Sequence, residues 1–137
     1  MHSIIEQLKL HEGFRSEPYE DTEGYLTIGF GRNLDAKGVS KEEGEYLLMN
    51  DLDEAFELLF DKPYFNKLSE VRKKVLLDMA YNLNKKLFQF KKMIAALKED
   101  NYDKAADEML DSLWAEQVGK RAKRLALMMR TGEDYND

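Results

Sequence analysis

Glu12, Asp21 and Thr27 lie in a dense polar region of the chain, residues 11–32, and their types and spacing could do chemistry. Glu12 falls at the predicted C-terminal end of a first helix, where the negative end of the helix dipole disfavours a second negative charge. That position suits a general acid, which must hold its proton until a leaving group takes it. Asp21 follows nine residues later, across a turn, in a segment able to fold back toward the helix end. Two carboxyl groups in distinct surroundings are what glycoside hydrolysis needs: one protonates the leaving oxygen, the other handles water or the developing cation. Thr27 could hydrogen-bond that water. Each residue also has a plainer reading. The chain holds 27 acids, so many carboxylate pairs would qualify. Asp21-Thr22 could be turn chemistry, and a strand threonine is commonly there for the strand.

The elements that must position these residues follow from caps and glycines. Ser3 and Glu6 form a capping box that opens a short helix, with Ile4, Ile5 and Leu8 for its buried face and Gly13 as its stop. Tyr25 to Phe30 reads as a strand, and Asp21-Thr22-Glu23-Gly24 as the turn pairing it with residues 15–20. Ser40 and Glu43 form a second capping box, opening a helix of about 20 residues with the stripe Leu48, Leu52, Ala55, Phe56 and Leu59. Further helices are predicted near 69–83, 90–98, 103–113 and 118–130. Six of the eight glycines precede residue 45, and none occurs from 45 to 118. Glycine marks tight backbone, so the first third should be loop and hairpin and the rest helical. The plan is α+β and mostly helical.

Composition narrows the chemistry. A chain of 137 residues, 43% hydrophobic, suits one domain with a real core, with room for two lobes. With no cysteine there is no disulfide framework, thiol nucleophile or Cys-based zinc site, and His2 and His11 are too few for a metal cluster. No cofactor or metal is therefore expected. A Ser/His/Asp arrangement, a phosphate loop and an HExxH motif are all missing. No apolar run approaches ~18 residues, so no stable membrane insertion is expected, and the first residues lack the pattern of a secretory signal. A net charge of −6 argues against bulk nucleic-acid binding. The charge is uneven, however. Residues 42–61 hold eight acids and no base, and 99–116 seven acids and one base; 79–98 and 118–130 each carry five bases and no acid. These runs are solvated helix faces or, on a sharper reading, a basic surface for an anionic polymer.

The ordered strings Leu10-His11-Glu12-Gly13-Phe14-Arg15 and Tyr19-Glu20-Asp21-Thr22-Glu23-Gly24-Tyr25-Leu26-Thr27-Ile28-Gly29-Phe30-Gly31 resemble the catalytic segment of tailed-phage lysozymes, the endolysins of glycoside hydrolase family 24. Ser112-Leu113-Trp114 through Arg124, the closing Arg130-Thr131-Gly132 and Asp78-Met79-Ala80-Tyr81-Asn82-Leu83 agree with the same family. The resemblance implies a lysozyme-like two-lobed fold: a small lobe over 12–40, a linking helix over 40–60, and a helical lobe over 61–137 with the 3–12 helix packed on it. It implies hydrolysis of the β-1,4 bond between N-acetylmuramic acid and N-acetylglucosamine in bacterial peptidoglycan. Glu12 then matches the catalytic acid, Asp21 the second carboxylate and Thr27 the threonine near the attacking water. Inversion, taken as the family's outcome, would make Asp21 and Thr27 partners in placing water. Arg121 matches an arginine that ion-pairs near the acid, though spacing alone equally permits a bundle-surface arginine. Tyr81, Asn82 and Asn33 match positions that contact sugar, while Trp114 is either a stacking or a core residue.

Some positions depart from the family pattern. Arg32 stands where some relatives carry histidine, so a salt bridge built on that histidine is in question. Asn84 replaces a glycine but tolerates a left-handed backbone, and Lys85-Lys86-Leu87 replaces a small flexible stretch. The expected protein is a cofactor-free monomer without nucleic acid, held in the host cytoplasm until released to the wall if a natural phage enzyme. Two other readings are a non-hydrolytic peptidoglycan-binding module and a helical nucleic-acid binder using Lys120, Arg121, Lys123 and Arg124.

Overall fold

The computed structural model describes residues 3–136, so His2 falls outside the described residues. The chain divides into two compact units, residues 1–47 and 48–137.

The first unit opens with α1 (Ile4–Glu12). Ser3 Oγ accepts from the Glu6 amide at 3.1 Å and the Glu6 side chain accepts from the Ser3 amide, so the capping box forms as expected. Gly13 ends the helix at φ 67°, its amide donating to Lys9. Strands β1 (Arg15–Glu20), β2 (Leu26–Gly29) and β3 (Arg32–Asn33) follow as one antiparallel sheet in the order β1-β2-β3. Tyr19 pairs with Thr27, and Thr27 with Asn33; between Arg15 and Tyr19 the register slips. Pro18 falls within that slip and has no amide proton to give a ladder. A four-residue helix, α2 (Leu34–Lys37), is capped by Asn33, whose side-chain oxygen accepts from the Ala36 amide.

The long helix α3 (Lys41–Leu59) begins at the predicted Ser40/Glu43 box and carries the boundary between the units. The second unit continues with α4 (Pro63–Asn66), α5 (Glu70–Leu83), a 3₁₀ turn over Asn84–Gln89, α6 (Lys91–Lys98), α7 (Tyr102–Leu110), α8 (Leu113–Val118) and α9 (Lys120–Thr131). Ser69, Asn101 and Ser112 cap α5, α7 and α8 through their side-chain oxygens. Helical spacing puts Val75, Leu76, Met79 and Ala80 of α5 inside, with Met93, Ala96 and Leu97 of α6. Ala105, Ala106 and Met109 of α7 and Ala122, Leu125, Ala126 and Met129 of α9 complete this layer, the alanines letting the two helices close on each other. Met128 adds a fifth buried methionine. Arg72 closes the end of the bundle. Its guanidinium donates to the Met129 and Arg130 carbonyls at the end of α9 and lies 3.8 Å from the Tyr102 ring centroid.

Several expectations are revised. Ile4, Ile5 and Leu8 are 63%, 63% and 50% exposed rather than buried. Within its own unit α1 meets the β2–β3 turn through Lys9 and Glu12, at the C-terminal end of the helix. Of the α3 stripe, Ala55 and Leu59 are buried and Leu52 half-buried, while Leu48 and Phe56 stay exposed. The two helices expected over 103–113 and 118–130 are three, because Ser112 starts α8 and Gly119, at φ 58°, ends it. Asn84 does take a positive φ, 52°, as its tolerance suggested.

Candidate active site

Asp21 is fixed by its own turn. Its Oδ1 accepts from the Glu23 and Tyr25 amides, both at 2.9 Å, while its backbone amide donates to the Tyr25 carbonyl. Gly24 completes the turn at φ 85°. The two oxygens differ: Oδ1 holds the turn, and Oδ2 has no protein partner among the described residues.

Thr27 is the one buried polar residue among the described residues, 3% exposed. Its hydroxyl donates to the Tyr25 carbonyl at 2.9 Å, so its oxygen is left as an acceptor. Tyr25 thus ties the two residues together: its amide holds Asp21 and its carbonyl holds Thr27. Asp35 of α2 anchors the same strand by accepting from the Leu26 amide at 2.6 Å. Sequence reasoning missed Asp35, which carries no motif signal of its own.

Glu12 ends α1 with its carboxyl beside the β2–β3 turn. A β-carbon built on Gly31 would stand 2.8 Å from Glu12 Cδ and 3.3 Å from Cγ, with Oε2 closer still. The Phe14 and Phe30 rings, 5.2 Å apart, and Lys9 Nζ, 5.5 Å from the Phe30 ring, pack α1 and its exit on this turn. Arg32, one residue on, makes a two-pronged salt bridge with Glu43 and donates to the Gly38 carbonyl at 2.9 Å. Any bridge built on a histidine at this position is replaced by one that reaches the first turn of α3. The Arg32 hydrogen bonds, followed by those of Ser40, hold the Glu43 carboxyl down at about 2.

The remaining expected residues divide by unit. Asn33 belongs to the first unit, where its side-chain oxygen serves as the α2 cap. In the second unit Arg121 Nε donates to Asp78 Oδ1 at 2.8 Å and its Nη2 lies 2.6 Å from the same oxygen, linking α9 to α5. Asn82 Oδ1 accepts from Trp114 Nε1 at 2.7 Å. Trp114 is 4% exposed and meets Phe90 edge-on, so of its two readings the core one holds. Tyr81, half-buried, packs against the core. A groove of about 930 Å³ runs past Asn82, Lys85, Lys86 and Trp114. A second groove, of about 680 Å³, shares Lys86 and Trp114.

A small antiparallel sheet followed by a helical unit is the α+β lysozyme architecture. A family profile described as phage lysozyme matches residues 9–133, and the chain belongs to that family. It is 29% identical to the probable T4-type lysozyme 1 of Dictyostelium discoideum, over 95% of each chain. It is 32% identical to the endolysin of Salmonella phage P22, over 85% of this chain and 82% of that one. It is 28% identical to the endolysin of Bacillus phage B103, over 96% of this chain and 54% of that one. The protein is thus a hydrolase of the lysozyme class. No helix among the described residues is long and apolar enough to cross a membrane.

Proposed function

We propose that this protein cleaves the β-1,4 bond between N-acetylmuramic acid and N-acetylglucosamine in bacterial peptidoglycan. Glu12 is the general acid, and Asp21 and Thr27 place the attacking water. The observation that carries this reading is the division of labour at Asp21, one oxygen anchored by two amides and the other without a protein partner among the described residues. A carboxylate held this way presents a fixed acceptor to water without losing its turn. Thr27, whose proton is already given to Tyr25, offers that water a second acceptor. A water donating to both is oriented with a lone pair left for the anomeric carbon. As the carbon–oxygen bond breaks, Glu12 gives its proton to the leaving sugar oxygen, and Asp21 takes one from the attacking water. No covalent intermediate is needed, and the anomeric centre inverts.

In the helical unit Arg121 is the proposed support for the acid, with Tyr81 and Asn82 the proposed sugar contacts; Asn33 is a further sugar contact in the small unit. In the structure the Arg121 guanidinium is engaged by Asp78 of the same unit. Glu12→Gln removes the transferable proton while keeping the side chain's shape. Turnover of purified sacculi, read as released reducing ends, should fall by about 10²–10⁴-fold with the thermal midpoint unchanged. A mutant that keeps the wild-type rate overturns the assignment.

A further inference from the structure

We propose that Gly31 is a positioning residue for the Glu12 carboxyl, acting through the side chain it lacks. Three observations meet at this position. The backbone of Gly31 sits at φ 74°, a conformation that L side chains rarely adopt. The place a β-carbon would take is filled by the Glu12 carboxyl group, with Cδ 2.8 Å from it. The loop that carries Gly31 is pinned on both sides: Phe30 packs on Phe14 and Lys9, and Arg32 is bound to Glu43 and Gly38. The turn therefore cannot retreat easily, and the bare α-carbon forms a floor under the carboxyl. A methyl group there would push the end of Glu12 aside and leave its backbone in place. Because proton transfer depends on where the carboxyl oxygen sits, a displacement near 1 Å can cost on the order of 10²-fold in rate.

The same hairpin supplies its own control. Gly29 has φ 66°, close to that of Gly31, yet nothing lies within 4 Å of the position its β-carbon would take. Gly29→Ala and Gly31→Ala thus impose similar backbone strain, and only the second meets the carboxyl. The inference rests on Glu12 being the general acid, but its geometric part can be read without activity.

The experiment compares both alanine variants in sacculus hydrolysis and in thermal unfolding, in the wild-type and Glu12→Asp backgrounds. Gly31→Ala should lower kcat by about 10²-fold with KM unchanged, while Gly29→Ala keeps kcat within a few-fold. Aspartate is one methylene shorter, so in the Glu12→Asp background Gly31→Ala should add no loss beyond that of Gly29→Ala. In unfolding, Gly31→Ala should lower the midpoint more in wild type than in Glu12→Asp. Equal kcat losses for the two alanines, or a Gly31→Ala loss carried by KM, would mean a backbone role only and overturn the proposal. Failure of the acid assignment reads differently. Glu12→Gln would then stay active, while the unfolding measurements alone would still report whether the side chain at 12 and a methyl at 31 compete for one space.

Discussion

The two units bury opposite kinds of residue. In the first, the only buried residue among those described is Thr27, a hydroxyl side chain. In the second, a continuous apolar core runs from Ala55 to Met129, with Phe65, Leu76, Met79 and Trp114 inside it. The first unit takes its shape from polar links instead: two capping boxes, the Asp21 turn, the Asp35 anchor and the Arg32–Glu43 bridge. A single hydrogen bond of the capping or turn kind is worth about 1 kcal/mol, against roughly 1.5–3 kcal/mol for each large apolar side chain fully buried. The proposed chemistry is therefore assembled on the part with the least hydrophobic support, and the bulk of the stability lies elsewhere. Substitutions should separate accordingly, activity from one unit and stability from the other.

The largest expected effect tests the first half of that separation. Asp21→Asn keeps an acceptor for the Glu23 and Tyr25 amides but replaces the unengaged oxygen with a donor. Sacculus turnover should fall by about 10²–10⁴-fold while thermal unfolding is unchanged. Equal losses of activity and stability would show that Asp21 serves the turn alone. A smaller effect, of the opposite kind, is expected from Leu76→Ala. Leu76 is fully buried, so truncation should cost about 2–5 kcal/mol in denaturant unfolding. The turnover of the molecules that remain folded should match wild type; a fall would couple the core to the site.

The smallest effect is a pH dependence confined to the first unit. Glu43 is held down from 4.5 to about 2, chiefly by Arg32, so the folded state favours its charged form. The stabilisation this brings is fully present above pH 4.5 and disappears as pH falls toward 2. Glu43→Gln should lower stability near neutrality and flatten the acid side of the stability curve. Amide exchange at residues 40–44, followed against pH, reads this locally. A Glu43→Gln profile parallel to wild type between pH 4.5 and 2 would remove the bridge from the first unit's support.

What could be seen in the sequence follows the same division. Ser3/Glu6 and Ser40/Glu43 are short-range signals, and both capping boxes stand where their spacing places them. The long helices of the second unit repeat their apolar residues over several turns, which is why α5, α6 and α9 were legible. The two residues of β3 and the four each of α2 and α4 are too short to show any period. At the proposed site, Glu12, Asp21 and Thr27 stand out only through the ordered string that carries the family resemblance, because type alone leaves many acid pairs open. Gly31 is marked only as one more glycine in the run from Gly29, because what matters about it is the space it leaves. Asp35 and Glu43 act across nine and eleven positions, through a fold that no local pattern describes.

The methionines give the core one further property. Met79, Met93, Met109, Met128 and Met129 are at most 4% exposed, whereas Met49 is 54% exposed. With no cysteine in the chain, these thioethers are its main targets for mild oxidants. Met49 should convert to the sulfoxide at the rate of a free side chain, with little consequence. The five inner sulfurs can react only when the helical unit opens, and each added oxygen would then hinder its closing again. Oxidant exposure becomes a clock for that opening, and damage in this protein should begin as a slow, all-or-none loss of the helical unit and end with the whole chain.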